Sequence, residues 1–479
     1  MQRFYTLSFL LMAFTTWAMH SAHAQELPAH VSAARAEIDW AAAGDEAVDI
    51  LRRYLTVPTI NPPGNEALGV AFLAQELDAA GIPWEQVQLG DNRASLIARL
   101  EGTSTEKPLC LLHHIDVVPA EAQHWEHPPF GGVIKDGELW GRGALDMKGL
   151  GALQLMTLIW LHRHKIPISR DVILLAVADE EVGNAGAKQL FEQDELWNQL
   201  QCGTVINEGG LGVRDALFEG QDVHGISVAE KGVLWVRIHA TGPAGHGSVT
   251  QEGEAPDTLR AVMHAISRGK IRPKFSPIVF DMLRGVGKHK KGLIGGVLRS
   301  KSLIRWLVKP KFMKRGPTRA MITNTVHLTG MDGGQKPNVV PSSGWVQYDC
   351  RLLPGMSGEA HLKQLKHWTR HINNIEFEVL HNVPASASPV DDPTYVALRR
   401  YAVENRPNAV AVPTLSVGFT DSLFARRRGA HAYGYTPFLV TVDEAQTMHG
   451  HNERISLQNI HEGAKILFSV VVEVAGAAQ

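Results

Sequence analysis

Apolar runs rich in Val, Ile and Leu alternate with helix-period patterns through the first half of the chain, the signature of an α/β domain with a largely parallel sheet. Four runs stand out as strands: Leu109 to His113, Val172 to Ala178, Thr204 to Ile206 and, much later, Phe438 to Val442. Each is followed at once by acids or histidines. In open α/β sheets ligands collect beyond the carboxyl ends of the strands, so the placement points to one cleft.

From about Val228 the character changes. Strand Val233 to Ala240, helix Pro256 to Ser267, strands Asn324 to Leu328 and Trp345 to Leu352, helix Glu359 to His371 and strand Glu376 to Leu380 follow in turn. With the stretch 268–319 set aside, that order is β-α-β-β-α-β, a ferredoxin-like α+β unit. A helix from Thr394 to Glu404 and the strand before Thr441 resume the first pattern. The expected organisation is a catalytic domain over 25–228 and 387–479, interrupted by a lid or dimerisation domain over 229–386 with hinges near Ala229 and Ser386.

Composition changes this picture at three places. Arg3, the apolar stretch Phe4 to Met19 and Ala22-His23-Ala24 read as a cleaved secretory signal over 1–24, so the expectation is an exported, periplasmic or secreted protein. Cys110, Cys202 and Cys350 are an odd, widely spaced set in apolar surroundings, read as buried free thiols with a single bridge as the alternative. The formal charge of -2 hides an asymmetry: Arg268 to Arg319 holds 16 of the 47 basic residues and one acid, Asp281, against 31 basic and 48 acidic residues elsewhere. That segment suggests contact with an anionic surface or ligand, or a solvated insertion lying on its own acidic domain. Nucleic acid is the poorer fit, since no nucleic-acid motif accompanies the charge.

The candidate chemistry sits at the strand ends. In "LCLLHHIDVVP" His114 and Asp116 are two apart and share a face, a ligand imidazole and the carboxylate that fixes its tautomer. Asp146 lies in "LWGRGALDMKGLG", where Gly141, Gly143 and Gly149 allow close backbone approach ahead of the helix Leu150 to Leu161. Its carboxylate can bridge two metals or cap that helix. Asp179-Glu180-Glu181 puts three carboxylates at the end of an apolar run, costly unless a positive group is near. Glu208 in "VINEGG" and His449 in "MHGHNERI" repeat the placement, with His451 competing for the role of His449. Each alone also reads as a core histidine or a solvated loop acid. Together they form a His, Asp, Glu, Glu, His set suited to zinc, too many for one ion and apt for two that share a carboxylate.

The motifs "HIDVVP", "WEHPPFGGVIKDGELWGRGALDMKG", "DEEVG", "NEGG", "GPAGHGS", "NVVP", "DCRLLP" and "HGHNERI" occur in that order over nearly all the mature length. In this the chain resembles the zinc aminoacylase and carboxypeptidase family that includes acetylornithine deacetylase, succinyl-diaminopimelate desuccinylase, carboxypeptidase G and the Gly-Xaa carboxypeptidases. The resemblance implies two zinc ions per chain, or zinc with another divalent ion. Asp146 becomes the bridge, His114 and Glu208 further ligands of one ion, Glu181 and His449 those of the other. It also implies Glu180 as general base, Asp116 as orienter of His114, and His246 as the group polarising the scissile carbonyl, in dimeric relatives from the neighbouring subunit. Asn338 and Arg351 resemble the pair that holds the substrate carboxylate, with Gly418 and Thr420 beside it. His113, where many relatives have glycine, and Gly247, where serine is common, depart from the pattern.

These readings converge on an exported zinc hydrolase that cuts an amide bond beside a free amino-acid carboxylate, in a small peptide or an N-acyl amino acid; a homodimer is one assembly the resemblance allows. A planar Arg351 guanidinium suits bidentate carboxylate binding, and an ion pair with Asp349 is its competing role. Dipeptidase or aminopeptidase-like activity on the same site is the alternative enzyme, a non-catalytic binding protein the alternative class.

Overall fold

A computed structural model describes residues 27–249, 251–290, 292–334 and 336–476; the expected signal segment lies outside the described residues. The larger of its two main sheets has eleven strands, and its centre is parallel: Val172–Val177, Leu109–His114, Thr204–Asn207 and His431–Gly434 run side by side. All six residues of the first two strands are buried. That explains why they read as unbroken apolar runs rather than alternating ones, since helices cover both faces of such a sheet. One face packs the helix Lys148–Arg163, buried from Lys148 to Leu161, with Trp40–Leu55 and the C-terminal helix Leu457–Ala475. The other packs Leu190, Phe191, Phe424 and their neighbours.

Two expectations are corrected. The run Phe438 to Val442 yields only the strand Leu439–Val440, because Thr441 caps the helix Val442–Ala445 in a reciprocal pair with Glu444. Side-chain capping there outweighs the β-propensity of the Val and Thr residues. Cys110 and Cys202 are joined as a disulfide, and Cys350 alone is a buried free thiol. The bridge ties the strand Leu109–His114 to the entrance of its neighbour Thr204–Asn207.

The second sheet has the order Thr325–Asp332, Ser343–Leu352, Gly232–Thr241, Ile375–Val383, every pair antiparallel, as the β-α-β-β-α-β reading requires. Its core includes Leu259 and Val262 from the helix Ala255–Ser267 and Leu365 from the helix Gly358–Trp368. Only Lys231 separates the strand Gln221–Glu230 of the large sheet from Gly232–Thr241 of the small one. The chain returns through Ser386–Ala387, which pairs with Glu230 and Ala229.

The basic segment is helical: Pro277–His289, Gly292–Arg299, a stretch from Lys301 through Phe312, and Gly316–Ile322. Val279, Phe280, Leu283 and Val286 pack against Val223, Val410 and Val412, so this insertion is seated on strands of the large sheet.

Candidate metal centre

Three loops leaving the parallel centre and one C-terminal loop build the site. His114 ends its strand, Glu180 and Glu181 follow Val172–Val177, Glu208 follows Thr204–Asn207, and Asp146 lies just ahead of the helix Lys148–Arg163. His449 comes from the loop before the strand Arg454–Ser456, with φ of 57°. The two oxygens of Asp146 face different histidines, Oδ1 lying 3.1 Å from His114 Nε2 and Oδ2 3.0 Å from His449 Nε2. His449 Nε2 is also 3.2 Å from Glu181 Oε2. Two trios result, His114 with Asp146 and Glu208, and Asp146 with Glu181 and His449; within each, potential ligand atoms lie within 4.8 Å of one another. The His451 ring instead lies tilted against His124, 5.0 Å between ring centres, and it is His449 that joins Asp146 and Glu181.

The electrostatics favour cations. Burial, with Glu208 close by, raises the Glu180 carboxyl well above its usual range; burial, with Asp146 close by, does the same to Glu208. Burial lifts Asp421 to about 7. His114 is raised despite burial, because Asp146 hydrogen-bonds it and carboxylates surround it, and His449 rises to about 10 through its bonds to Asp146 and Glu181. Asp146 itself is lowered: burial opposes the change, and its two histidine partners outweigh it. Glu181 Oε1 is buried without a hydrogen-bond partner. An excess of buried carboxylate, an orphaned carboxylate oxygen and an oxygen and nitrogen donor set shared through one aspartate fit a pair of divalent ions.

Several supports were not singled out in the sequence. Glu453, buried, accepts the backbone N–H groups of Gly143, Leu145 and Asp146 and pairs with the buried Arg142, fixing the loop that presents Asp146. Its signal was the Asn-Glu of "HGHNERI". Arg93 and Asn61 both bond Asp179, which sits at φ 72° and starts the acidic turn. Asn184 donates to Asp421 at 3.0 Å. The role expected of the Asp116 carboxylate also changes: the backbone carbonyl of Asp116 partners His114 Nδ1 at 2.8 Å, while the carboxylate, 3.7 Å away, accepts N–H from Glu180 and Glu181 and the amide of Asn61. The strand ends at His114, so strict alternation no longer applies at Asp116.

The expected substrate-side residues stand elsewhere. His246 is exposed on a short ribbon paired with Val339, beside exposed Asn338, and its Nδ1 meets Ser248 Oγ at 2.8 Å. Arg351, on the small sheet, pairs with Asp349 at 2.9 Å and lies over the Phe419 ring. Thr420 is buried and donates its hydroxyl to Glu230, and Gly418 has open space around it. Among the described residues no hydrogen bond or ion pair links His246, Asn338 or Arg351 to the acidic cluster.

The model of the peptidase family M20/M25/M40 matches residues 110–473. The chain belongs to this family. Human N-fatty-acyl-amino acid synthase/hydrolase PM20D1 is 29% identical over 383 residues, covering 76% of this chain and 74% of that protein. Human aminoacylase-1 is 26% identical over 418 residues, covering 85% and 90%. Among solved structures, an M20 family metallo-carboxypeptidase from Sulfolobus solfataricus superposes with a TM-score of 0.66 at 18% identity, over 90% of this chain and 99% of the other. Human carnosine dipeptidase 1 gives 0.66 at 17% identity, over 94% and 100%. Membership in the M20/M25/M40 family makes the protein an amidohydrolase of the metallopeptidase and aminoacylase type, with the cluster around Asp146 as its candidate metal-binding residues.

Proposed function

We propose that this M20 enzyme hydrolyses the amide bond of N-acyl amino acids, with a free carboxylate on the amino-acid side. The observation that carries the chemistry is Asp146, which turns one oxygen toward each trio. His114, Asp146 and Glu208 would hold one zinc; Asp146, Glu181 and His449 would hold a second zinc or another divalent ion. Bound there, such a pair supplies Lewis acidity to the scissile carbonyl and to water. Glu180, whose proton affinity is raised by burial, takes the proton of the attacking water and returns it to the leaving amine nitrogen. Its backbone N–H and that of Glu181 are pinned by Asp116, so both carboxylates keep fixed stations.

His246, polarising the carbonyl, and Asn338 with Arg351, holding the substrate carboxylate, complete the site by approach of the small sheet or from the neighbour in a homodimer. Relatives whose names refer to acyl amino acids support the substrate class. Export by the 1–24 segment is part of the same reading, and the Cys110–Cys202 bridge favours an oxidising compartment.

The test is turnover of the purified mature chain on N-acyl amino acids, free dipeptides and the C-terminally amidated form of each. N-acyl amino acids with a free carboxylate should be cut fastest. Equal cleavage of amidated substrates would replace this reading with an aminopeptidase-like one.

A further inference from the structure

From Lys288 to Arg315 the sequence holds ten basic residues and no acid. Among the described residues of the whole insertion, Arg284 with Asp281 is the one cation that meets a carboxylate. The helices in this stretch also split their apolar residues in two directions. Leu298, Ile304 and Phe312 point inward to the core shared with Val410 and Val412. Leu293 and Trp306 point outward, 91% and 74% exposed, with Ile294 and Leu307 beside them in the chain and also exposed. Gly292 and Gly296 have open space around them, so among the described residues nothing covers this face of Gly292–Arg299.

We propose that the segment from Lys288 to Arg315 docks on the surface of an anionic phospholipid bilayer. Exposed large apolar side chains within a dense field of cations are what an interfacial helix needs. Leu and Trp enter the boundary between headgroups and acyl chains, and Lys and Arg meet the phosphates. The Lys301 ammonium and the Arg305 guanidinium both lie over the face of the Phe280 ring, 5.6 and 5.3 Å from its centre, and both residues are exposed. Charge also selects among occupants. A second copy of the chain would set one run of cations against another, and a nucleic acid would meet the charge while leaving Leu293 and Trp306 in water. No described helix is long and apolar enough to cross a membrane, so the segment lies on the bilayer.

Sedimentation of the purified mature chain with vesicles tests this. Phosphatidylcholine vesicles should retain little protein, and equimolar phosphatidylcholine and phosphatidylglycerol vesicles should retain at least about tenfold more. Raising salt from about 0.1 M to about 1 M, which shortens the screening length from about 10 Å to about 3 Å, should weaken the retention. Leu293→Glu with Trp306→Glu, and separately Lys309→Glu with Lys311→Glu, should each reduce binding to the mixed vesicles by about tenfold, with turnover of an N-acetyl amino acid unchanged. No binding of the folded wild type to the mixed vesicles at low salt overturns the proposal, whatever the variants do. So does undiminished binding by the Leu293/Trp306 double variant, or a solution dimer that this variant dissociates while vesicles bind neither protein. Docking does not depend on the substrate assignment, because vesicle binding is read without turnover.

Discussion

The acidic cluster and the substrate-side residues expected to complete the site are built on opposite terms. Asp146 is held by a loop whose N–H groups are gripped by buried Glu453, and the acidic turn is pinned by Asp116, Asn61 and Arg93. His246 and Asn338 are exposed, and Arg351 is occupied by Asp349. One set is preorganised, as tight control of bound ions demands, and the other is available to a substrate that arrives with its own carboxylate. The difference teaches that damage to the first region should affect every substrate, whereas damage to the second should depend on which substrate is offered.

The largest effect should come from within the first region. Glu180→Gln keeps shape and reach but cannot carry a proton, so kcat should fall by about 10²- to 10⁴-fold while two ions stay bound. Glu181→Gln replaces an anionic ligand with a neutral one, so metal content should drop toward one ion per chain and added zinc should restore part of the activity. Metal analysis beside turnover decides the matter. Metal loss in Glu180→Gln together with full retention in Glu181→Gln would exchange the two roles.

Next in size is the bridge between two strands of that region. The strands bearing His114 and, just beyond its end, Glu208 are tied through Cys110 and Cys202, which are 92 residues apart. Paired Cys110→Ala and Cys202→Ala changes should lower stability by about 2 to 4 kcal/mol, a typical value for a native disulfide, read from the urea midpoint. An unchanged midpoint would mean that the strand pairing alone holds the two candidate ligands in place.

What could be read from the chain follows the same division. The candidate ligands stood out because charged groups directly after buried apolar runs are costly without a counter-charge, and the order of strands pointed to one cleft. The ferredoxin-like order was legible because each element kept its own period. The disulfide was not, since the adjacency of Cys110 and Cys202 arises from parallel pairing across distant sequence. Nor could spacing show that the Asp116 carboxylate serves the acidic turn while its carbonyl serves His114, because that depends on where the strand stops. The outward face of the basic insertion was legible only as apolar runs, without the sense in which each residue points.

In the second region, Arg351→Ala should cost about 1.5 to 3 kcal/mol in kcat/KM for substrates with a free carboxylate, the worth of a charge-assisted hydrogen bond. Amidated substrates should be nearly unaffected. A loss of the same size on both would show that the pair with Asp349 is structural and that the carboxylate is held elsewhere.

The smallest effect compares the two regions through one buried histidine in each. His224, on the large sheet, is lowered to about 3 by burial and by the charge of Arg406, whose Nη1 donates to its Nε2 at 2.7 Å. His361, on the helix that packs beneath the small sheet, is lowered to about 4, chiefly by burial, with Lys231 adding repulsion. A folded value below the unfolded one, near 6.5, means the unfolded chain binds the proton first. Stability from each neutral histidine is therefore present above about pH 6.5 and is lost as pH falls toward 4 for His361 and 3 for His224. At pH 5 the loss should be about 1 to 2 kcal/mol for each. His224→Gln and His361→Gln remove the titration, so the gap in melting temperature between wild type and variant should narrow from pH 7 to pH 5. If the two sheets unfold in separate steps, each variant should flatten the pH dependence of its own step. A gap that stays constant for either variant would show that the histidine does not change its protonation on unfolding, and would remove that region from the acid sensitivity.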